Sequence, residues 1–169
     1  HRPGGDSLNL APGDADVATV RTASSYGYLW SRSGGLSEVG QPAPYHFDKV
    51  ARALSLSPPQ GSILDAGCGD GVDLANLGRR DGVEVVGVEL SDGGCRASLE
   101  RSLALPTTHV VQADLCQLPF GDDSFDFVYS YGVLHHLPSP KDGVQELVRV
   151  LKPARRVAAS GERQSSSNL

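Results

Sequence analysis

Residues 62–71 read SILDAGCGDG, and this stretch decides the fold. Its apolar residues stop at a glycine, which is typical of a short buried strand. Gly67, Gly69 and Gly71 permit positive φ angles and a close approach of the backbone to a ligand. Residues 72–80 then have a helical pattern. The stretch therefore predicts a strand, a glycine loop and a helix, the arrangement that binds ligands at the carboxyl ends of strands.

Strands and helices alternate outward from this stretch, by the spacing of their apolar residues. The pattern predicts helices over residues 45–56, 72–80, 92–104 and 141–151, strands over residues 62–66, 83–90, 109–113 and 125–131, and the start of a fifth strand over residues 155–160. This alternation indicates βαβ units. The expected fold class is α/β: a Rossmann-like, doubly wound, mainly parallel sheet with helices on both faces.

Composition limits the function classes. The 169 residues suit one domain, and the formal net charge of −5 argues against a nucleic-acid partner. No apolar run approaches the roughly 18 residues needed to span a bilayer. Cys68, Cys95 and Cys116 are odd in number and widely spaced, so neither a disulfide framework nor a metal site is expected. Reduced thiols of this kind indicate a cytoplasmic protein.

The register of the glycines argues against a dinucleotide site. That fingerprint is G-x-G-x-x-G, whereas this loop is G-x-G-x-G, with Val72 where a third glycine counted from Gly67 should stand. Asp65 and Asp70 would also repel a pyrophosphate. Carboxylates at these positions suit a ligand that carries an ammonium or a sulfonium group, and NAD-linked oxidoreduction is disfavoured.

Two further carboxylates end the next strands. Glu89 ends the second strand, where its oxygens can accept hydrogen bonds from both hydroxyls of a ribose. Asp114 ends the third strand, where it can accept from an adenine amino group while the Leu115 N–H faces a ring nitrogen. Each acid alone could be a helix cap or a surface charge. Three strand ends together predict a pocket for an amino-acid group, a ribose and a base.

Four segments, in this order, resemble the class I S-adenosylmethionine-dependent methyltransferases. They are ILDAGCGDG, VVGVEL, QADLCQLPFGDDSFDFVYSYGVLHHL and ELVRVLKP, within about residues 60–153. The likeness is greatest to the small-molecule branch that includes the ubiquinone/menaquinone-type enzymes. The resemblance implies S-adenosylmethionine as cofactor and a small molecule as methyl acceptor.

The resemblance also implies roles for nine residues in binding that cofactor. It assigns Asp65, Gly67 and Gly69 to the methionine portion, Glu89 to the ribose, Leu90 to the face of the adenine, Asp114 and Leu115 to the adenine edge, and Ser130 and Tyr131, largely through backbone, to the methionine amino group. An aminopropyl transferase would use a similar pocket, but the sequence shows no polyamine-site signature.

His135 and His136 are the candidate catalytic residues. They follow the fourth strand, where the acceptor is expected, and histidine has the pKa range of a general base. The alternative is that one or both rings pack structurally or cap a turn. Trp30 and Tyr45 are candidates to line an acceptor cavity, with core packing as the alternative.

The chain divides into three parts: a mobile leader over residues 1–44, with a possible lid at 26–30; the cofactor-binding domain over residues 45–160; and a polar tail over residues 161–169. Ala154 follows Lys-Pro where the family usually has glycines, and the family's later helix and antiparallel strands are missing. We expect a truncated methyltransferase with an exposed sheet edge that a partner chain could complete. The alternative is a weak or inactive cofactor-binding module or interaction subunit.

Overall fold

A computed structural model describes residues 46–160 of the chain. The predicted leader and lid, with Trp30 and Tyr45, lie outside the described residues, as does the tail over residues 161–169. The helices are α1 His46–Ala53, α2 Val72–Leu77, α3 Asp92–Ser102 and α4 Pro140–Val150, and a 3-10 turn covers Leu134–His136. The strands are β1 Gly61–Ala66, β2 Val83–Glu89, β3 Thr108–Gln112, β4 Phe125–Tyr131 and β5 Leu151–Ser160.

The five strands form one sheet in the order β3-β2-β1-β4-β5, and every pair is parallel. The order reverses between β1 and β4, so the crevice in which such sheets bind ligands opens at the ends of these two strands. This confirms the predicted Rossmann-like, doubly wound fold class. The antiparallel strands of the family are not among residues 46–160.

Alternate residues of β1 supply two apolar clusters, one on each face of the sheet. Ile63 lies in the cluster that includes Phe47 of α1 and Leu74 of α2. Leu64 lies in the cluster that includes Leu147 of α4. The helices therefore cover both faces, as predicted, and burial of both clusters fixes the strand ends in register.

All four helices end earlier than their apolar patterns predict, and α1 and α2 do so by three residues each. α1 ends at Ala53 because Ser55 adopts a left-handed conformation with φ 50°. The N–H groups of Ser55 and Leu56 then donate to the carbonyls of Arg52 and Ala51, which is the Schellman pattern that closes a helix. α2 ends at Leu77, since Gly78 follows as its cap and donates to the carbonyl of Leu74.

β5 is longer than predicted, because it begins at Leu151, directly after α4. Its register against β4 shifts between the pairs Phe125–Leu151 and Phe127–Arg156. Pro153 lies in the shifted segment and has no N–H to give to a neighbouring strand. No helix among residues 46–160 combines the length and apolar character that crossing a membrane requires.

Candidate functional site

The glycine loop after β1 is packed tightly on two sides. Gly67, Gly69 and Gly71 have φ angles of 84°, 55° and 79°, a region that favours glycine. A Cβ added to Gly67 would overlap the side chain of Val133, which follows β4, and one added to Gly71 would lie 2.8 Å from Cα of Ser98 in α3. The loop is therefore fixed between α3 and the segment after β4, at the edge of the sheet where ligands bind.

α3 also holds this loop by polar contacts. The hydroxyl of Ser98 donates to the carbonyl of Gly69 at 2.8 Å. Arg101 donates through Nε to the carbonyl of Asp70 and through Nη2 to its carboxylate, both at 2.9 Å. Asp70 is therefore neutralised by an ion pair inside the protein. The interpretation that Asp70 would repel a bound anion is wrong, because Arg101 offsets its charge.

Asp65 is the carboxylate at the base of the loop. It ends β1 with only 3% of its surface exposed, and its Oδ2 has no hydrogen-bond partner among the described residues. Burial raises the pKa of Asp65 well above its usual value, and the charges of Asp73 and Glu89 raise it further. An unpartnered buried carboxylate is costly, and a perturbed acid at the ligand-binding edge of a sheet is a candidate for a functional site.

Glu89 joins the end of β2 to the same loop. Its Oε2 accepts from the N–H of Gly69 at 3.2 Å. Its Oε1 accepts from the N–H and the hydroxyl of Ser91 at 2.9 and 2.7 Å. These bonds fix the rotamer of a nearly buried side chain. Each carboxylate oxygen accepts two bonds, so Oε2 retains a lone pair for a ligand hydroxyl.

The predicted residues after β2 and β3 lie beside Glu89, whose strand register pairs it with Gln112. The amide of Gln112 donates to the carbonyl of Leu90 at 3.0 Å. Asp114 accepts from the N–H of Cys116 at 2.8 Å, which fixes the turn after β3. Leu115 is buried in the apolar cluster on the α4 face. The structure thus brings the predicted acidic strand ends to one edge of the sheet.

Ser130 and Tyr131 end β4 beside the glycine loop. The hydroxyl of Ser130 donates to the carbonyl of Ala66 at 3.0 Å and is buried, so this side chain ties β4 to β1. Tyr131 keeps 39% of its surface exposed. The Ser130 hydroxyl has already donated its hydrogen, so this side chain could meet a ligand only as an acceptor, beside the backbone of β4.

His135 and His136 lie in the 3-10 turn after β4, and both side chains are exposed. Their ring centroids are 3.8 Å apart, with the ring planes inclined by 46°. Val133, just before the turn, is the residue that a Cβ on Gly67 would strike. The histidine turn therefore lies next to the glycine loop, where a base could meet an acceptor.

Sequence reasoning missed a polar cluster around Asp73, two residues after the loop. One oxygen of this buried carboxylate accepts from the N–H of Phe47 at 3.2 Å. The other accepts from the hydroxyl of Tyr129 at 3.2 Å and lies 3.5 Å from Nδ1 of His46. No motif signals this contact, because α1 and α2 are brought together only by the tertiary fold.

Comparison with known proteins identifies the family. A family model described as a methyltransferase domain matches residues 64–159. The demethylmenaquinone methyltransferase of Clavibacter sepedonicus is 34% identical over 152 residues, which cover 89% of this chain and 58% of that protein. The 27-O-demethylrifamycin SV methyltransferase of Amycolatopsis mediterranei (strain S699) is 31% identical over 114 residues, covering 66% of this chain and 42% of that protein.

A solved structure shows the same fold. The crystal structure of a SAM-dependent methyltransferase from Aquifex aeolicus superposes with a TM-score of 0.62 at 23% identity, over 81% of this chain and 71% of that chain. The present chain spans about half the length of the curated relatives it matches, with shares of 58% and 42%. Since the methyltransferase model covers more than half of its residues, the chain belongs to the class I S-adenosylmethionine-dependent methyltransferase family.

Proposed function

We propose that this chain binds S-adenosylmethionine at the carboxyl ends of β1, β2, β3 and β4, and that it transfers the methyl group to a small-molecule acceptor. The observation that carries the proposal is the buried, unpartnered Oδ2 of Asp65 at the base of the glycine loop. The family's cofactor has a cationic amino-acid end, and the residues present fit it. Asp65 supplies the anionic acceptor, and Gly67 and Gly69 supply the positive φ angles that shape the loop above it.

The remaining contacts follow the order of the strands. Glu89 would accept from the ribose hydroxyls, because Oε2 faces the loop and retains a lone pair. Leu90 would cover the adenine, and Asp114 with the N–H of Leu115 would bind its edge. The backbone of Ser130 and Tyr131 would meet the methionine amino group, as the resemblance implies. The Ser130 hydroxyl donates to Ala66 and could only accept from that group.

The protein's task in this reaction is positioning. When bound, the cofactor supplies a methyl group that its sulfonium already makes electrophilic. The chain must hold the acceptor in line with that group and exclude water, and orientation of this kind contributes roughly 7–11 kcal/mol. His135 and His136, the candidate bases of the sequence analysis, are exposed beside the glycine loop. They stay candidates for this role, and the choice of base is a separate question from binding of the cofactor.

Two other expectations belong to the same proposal. A partner chain could complete the sheet beside β5, which among residues 46–160 has a neighbouring strand on one side only. A cytoplasmic location is supported by the thiols of Cys68, Cys95 and Cys116, none of which forms a disulfide. The alternative of a non-catalytic module is not favoured, because the relatives reported above are named as methyltransferases.

Two glutamates of β2 allow a matched test. Glu89→Gln removes a buried carboxylate at the loop, whereas Glu84→Gln changes an exposed one that pairs with His109. We expect Glu89→Gln to weaken S-adenosylmethionine binding about tenfold or more, by analogy with other lost charged hydrogen bonds. Glu84→Gln should bind like the wild type in the same titration.

Activity is tested with S-adenosylmethionine labelled in its methyl group. The wild type should move label into a pool of phenols, quinols and amines, and Glu89→Gln should move far less. Cofactor binding without label transfer to any member of the pool would contradict the proposed activity and favour the non-catalytic module.

A further inference from the structure

At the crevice, the partly exposed side chain of His46 pairs with the buried carboxylate of Asp73. Nδ1 of His46 lies 3.5 Å from Oδ2 of Asp73, and the side chains are 42% and 10% exposed respectively. One ring nitrogen therefore faces a buried carboxylate while nearly half of the imidazole remains open. Among residues 46–160, no hydrogen bond is made to the other nitrogen, Nε2.

A carboxylate beside one ring nitrogen favours one tautomer of a neutral imidazole. The Asp73 carboxylate can only accept, so it favours the form in which Nδ1 carries the proton and Nε2 carries the lone pair. The carboxylate is itself fixed by the N–H of Phe47 and the hydroxyl of Tyr129, both at 3.2 Å. A histidine oriented by a third, fixed group has the geometry of an activated general base.

The pair lies where an acceptor would bind. The His46 ring stacks on the ring of Tyr131, with centroids 4.4 Å apart and planes 18° apart. Tyr131 ends β4, and β4 pairs with β1 at the point where the order of the strands reverses. His46 therefore covers the end of β4 at the crevice, with Tyr131 as an aromatic wall beside it.

We propose that His46, oriented by Asp73, is the base that takes the proton from an acceptor hydroxyl, so that the acceptor is an alcohol or a phenol. The inference rests on the proposed function and deepens it. As the acceptor oxygen forms its bond to the methyl carbon, the carbon–sulfur electron pair stays on sulfur. The O–H bond breaks, its electrons remain on oxygen, and the proton passes to Nε2. The imidazolium faces the Asp73 carboxylate and later releases its proton to water.

The groups around His46 suit this role. Asp73 faces it from α2 and Tyr131 from β4, with the hydroxyl of Tyr129 bound to the same carboxylate. On its own helix, Asp48 is paired with Arg80, and Lys49 is exposed.

Two further elements lie near this pair. Asp65 of β1 is close enough to Asp73 for the Asp73 charge to raise the pKa of Asp65. β5 also contacts α1.

His46 has a feature that His135 lacks. His135 contacts the ring of His136, and within residues 46–160 no carboxylate pairs with it. His109 does pair with a carboxylate, Glu84 at 3.3 Å, but both side chains are at least half exposed, on β3 and β2. Substitutions of these three histidines can therefore distinguish a catalytic base from a histidine with no role in the reaction.

The tautomer is measured first, without any turnover. Imidazole ¹⁵N chemical shifts of the full chain, with S-adenosylhomocysteine added, should show the His46 proton on Nδ1. Asp73→Asn should move it to Nε2, because an amide can donate where the carboxylate could only accept. A wild-type His46 with its proton on Nε2 would overturn the proposal.

Transfer is measured next, with a phenol, an alcohol and a primary amine as probes. His46→Gln should lower kcat on the phenol about 100-fold or more and leave S-adenosylhomocysteine binding unchanged. His109→Gln should behave like the wild type. His46→Gly should recover activity when imidazole is added.

Three results would contradict the inference. They are full activity of His46→Gln, loss of activity only in His135→Gln, and transfer by the wild type to the amine but not to the phenol. Failure of the wild type to bind S-adenosylhomocysteine would instead remove the proposed function, and the tautomer measurement would still stand on its own.

Discussion

At the scale of single residues, Asp65 is the costliest group in the site. Its carboxylate is buried at the end of β1, and one oxygen has no partner among the described residues. Burial raises its pKa well above the usual value, so the folded chain binds this proton more tightly than the unfolded chain. Between the two pKa values the free energy of unfolding falls as pH rises. Above both, the ionised carboxylate keeps its full destabilising effect.

We therefore expect Asp65→Asn to stabilise the protein at neutral pH while abolishing cofactor binding. Relief of a strained functional group commonly gives about 0.5–2 kcal/mol. This corresponds to a rise in Tm of about 1–8 °C for a domain of this size. Thermal unfolding without ligand measures it, with Asp114→Asn as the control at a less buried carboxylate. The rise in Tm of Asp65→Asn over the wild type should vanish below about pH 4, where Asp65 of the unfolded wild type is also protonated. A Tm of Asp65→Asn below the wild-type value at pH 7 would contradict the account.

Gly71 offers a second test at this scale. Its φ of 79° and the approach of Ser98 Cα, 2.8 Å from an added Cβ, both oppose a side chain. Gly82 has a similar φ of 74° but no heavy atom within 4 Å of its added Cβ. Gly71→Ala should lower the free energy of unfolding by about 1–3 kcal/mol of backbone strain, plus the cost of the overlap with α3. Gly82→Ala should lower it by the backbone strain alone. Equal losses in chemical denaturation would show that α3 does not hold the loop.

At the scale of elements, Asp126 ties together the starts of three strands. It lies on β4, and its Oδ2 accepts from the N–H of Ser62 on β1 at 3.2 Å and from Nζ of Lys152 on β5 at 2.9 Å. The hydrogen bond from Lys152, followed by the one from Ser62, lowers the pKa of Asp126 to about 2. The contacts hold β1, β4 and β5 in register at the end of the sheet opposite the site.

Asp126→Asn should therefore lower Tm near pH 6, where the wild-type carboxylate is ionised in both states. The folded pKa lies below the unfolded value of about 3.9, so the stabilisation is complete above that value. It should disappear as pH falls toward about 2. A series of melting curves between pH 6 and pH 2 measures this, with Asp123→Asn as a neighbouring exposed control. A difference in Tm that is independent of pH would contradict it.

The sequence predicts the strands better than the helix ends. β4 matches its predicted range of 125–131, since an apolar run bounded by turn residues has few alternative limits. α1 stops three residues early, because Ser55 takes a left-handed conformation that sequence normally signals with glycine. β5 begins at Leu151 because pairing with Phe125 starts there. Such pairing depends on the tertiary fold, so the local sequence does not predict it.

The residues of the site also fall into those that the sequence predicts and those that it does not. Asp65, Glu89 and Asp114 are predictable because each follows an apolar strand, and strand ends meet at one edge of a parallel sheet. The supports of the loop, Ser98 and Arg101, are not predictable, because they reach it from a helix about 30 positions away. The histidine of the pair with Asp73 precedes it by 27 positions and shares no motif with it.

At the scale of the whole molecule, the described residues place the acidic strand ends, the glycine loop and two sets of histidines at one edge of a parallel sheet. Chain segments far apart in sequence contribute to that edge, so the site depends on the complete order β3-β2-β1-β4-β5. The chain spans about half the length of its curated relatives, so binding of the cofactor can be measured separately from turnover.

Calorimetric titration with S-adenosylmethionine and S-adenosylhomocysteine tests the central claim most directly. The account predicts saturable binding of one equivalent of each to the wild type. Asp65→Asn should show no measurable heat while remaining folded, with a Tm at or above the wild-type value. Absence of binding by a folded wild type, or undiminished binding by Asp65→Asn, would contradict the assignment of this edge as the cofactor site.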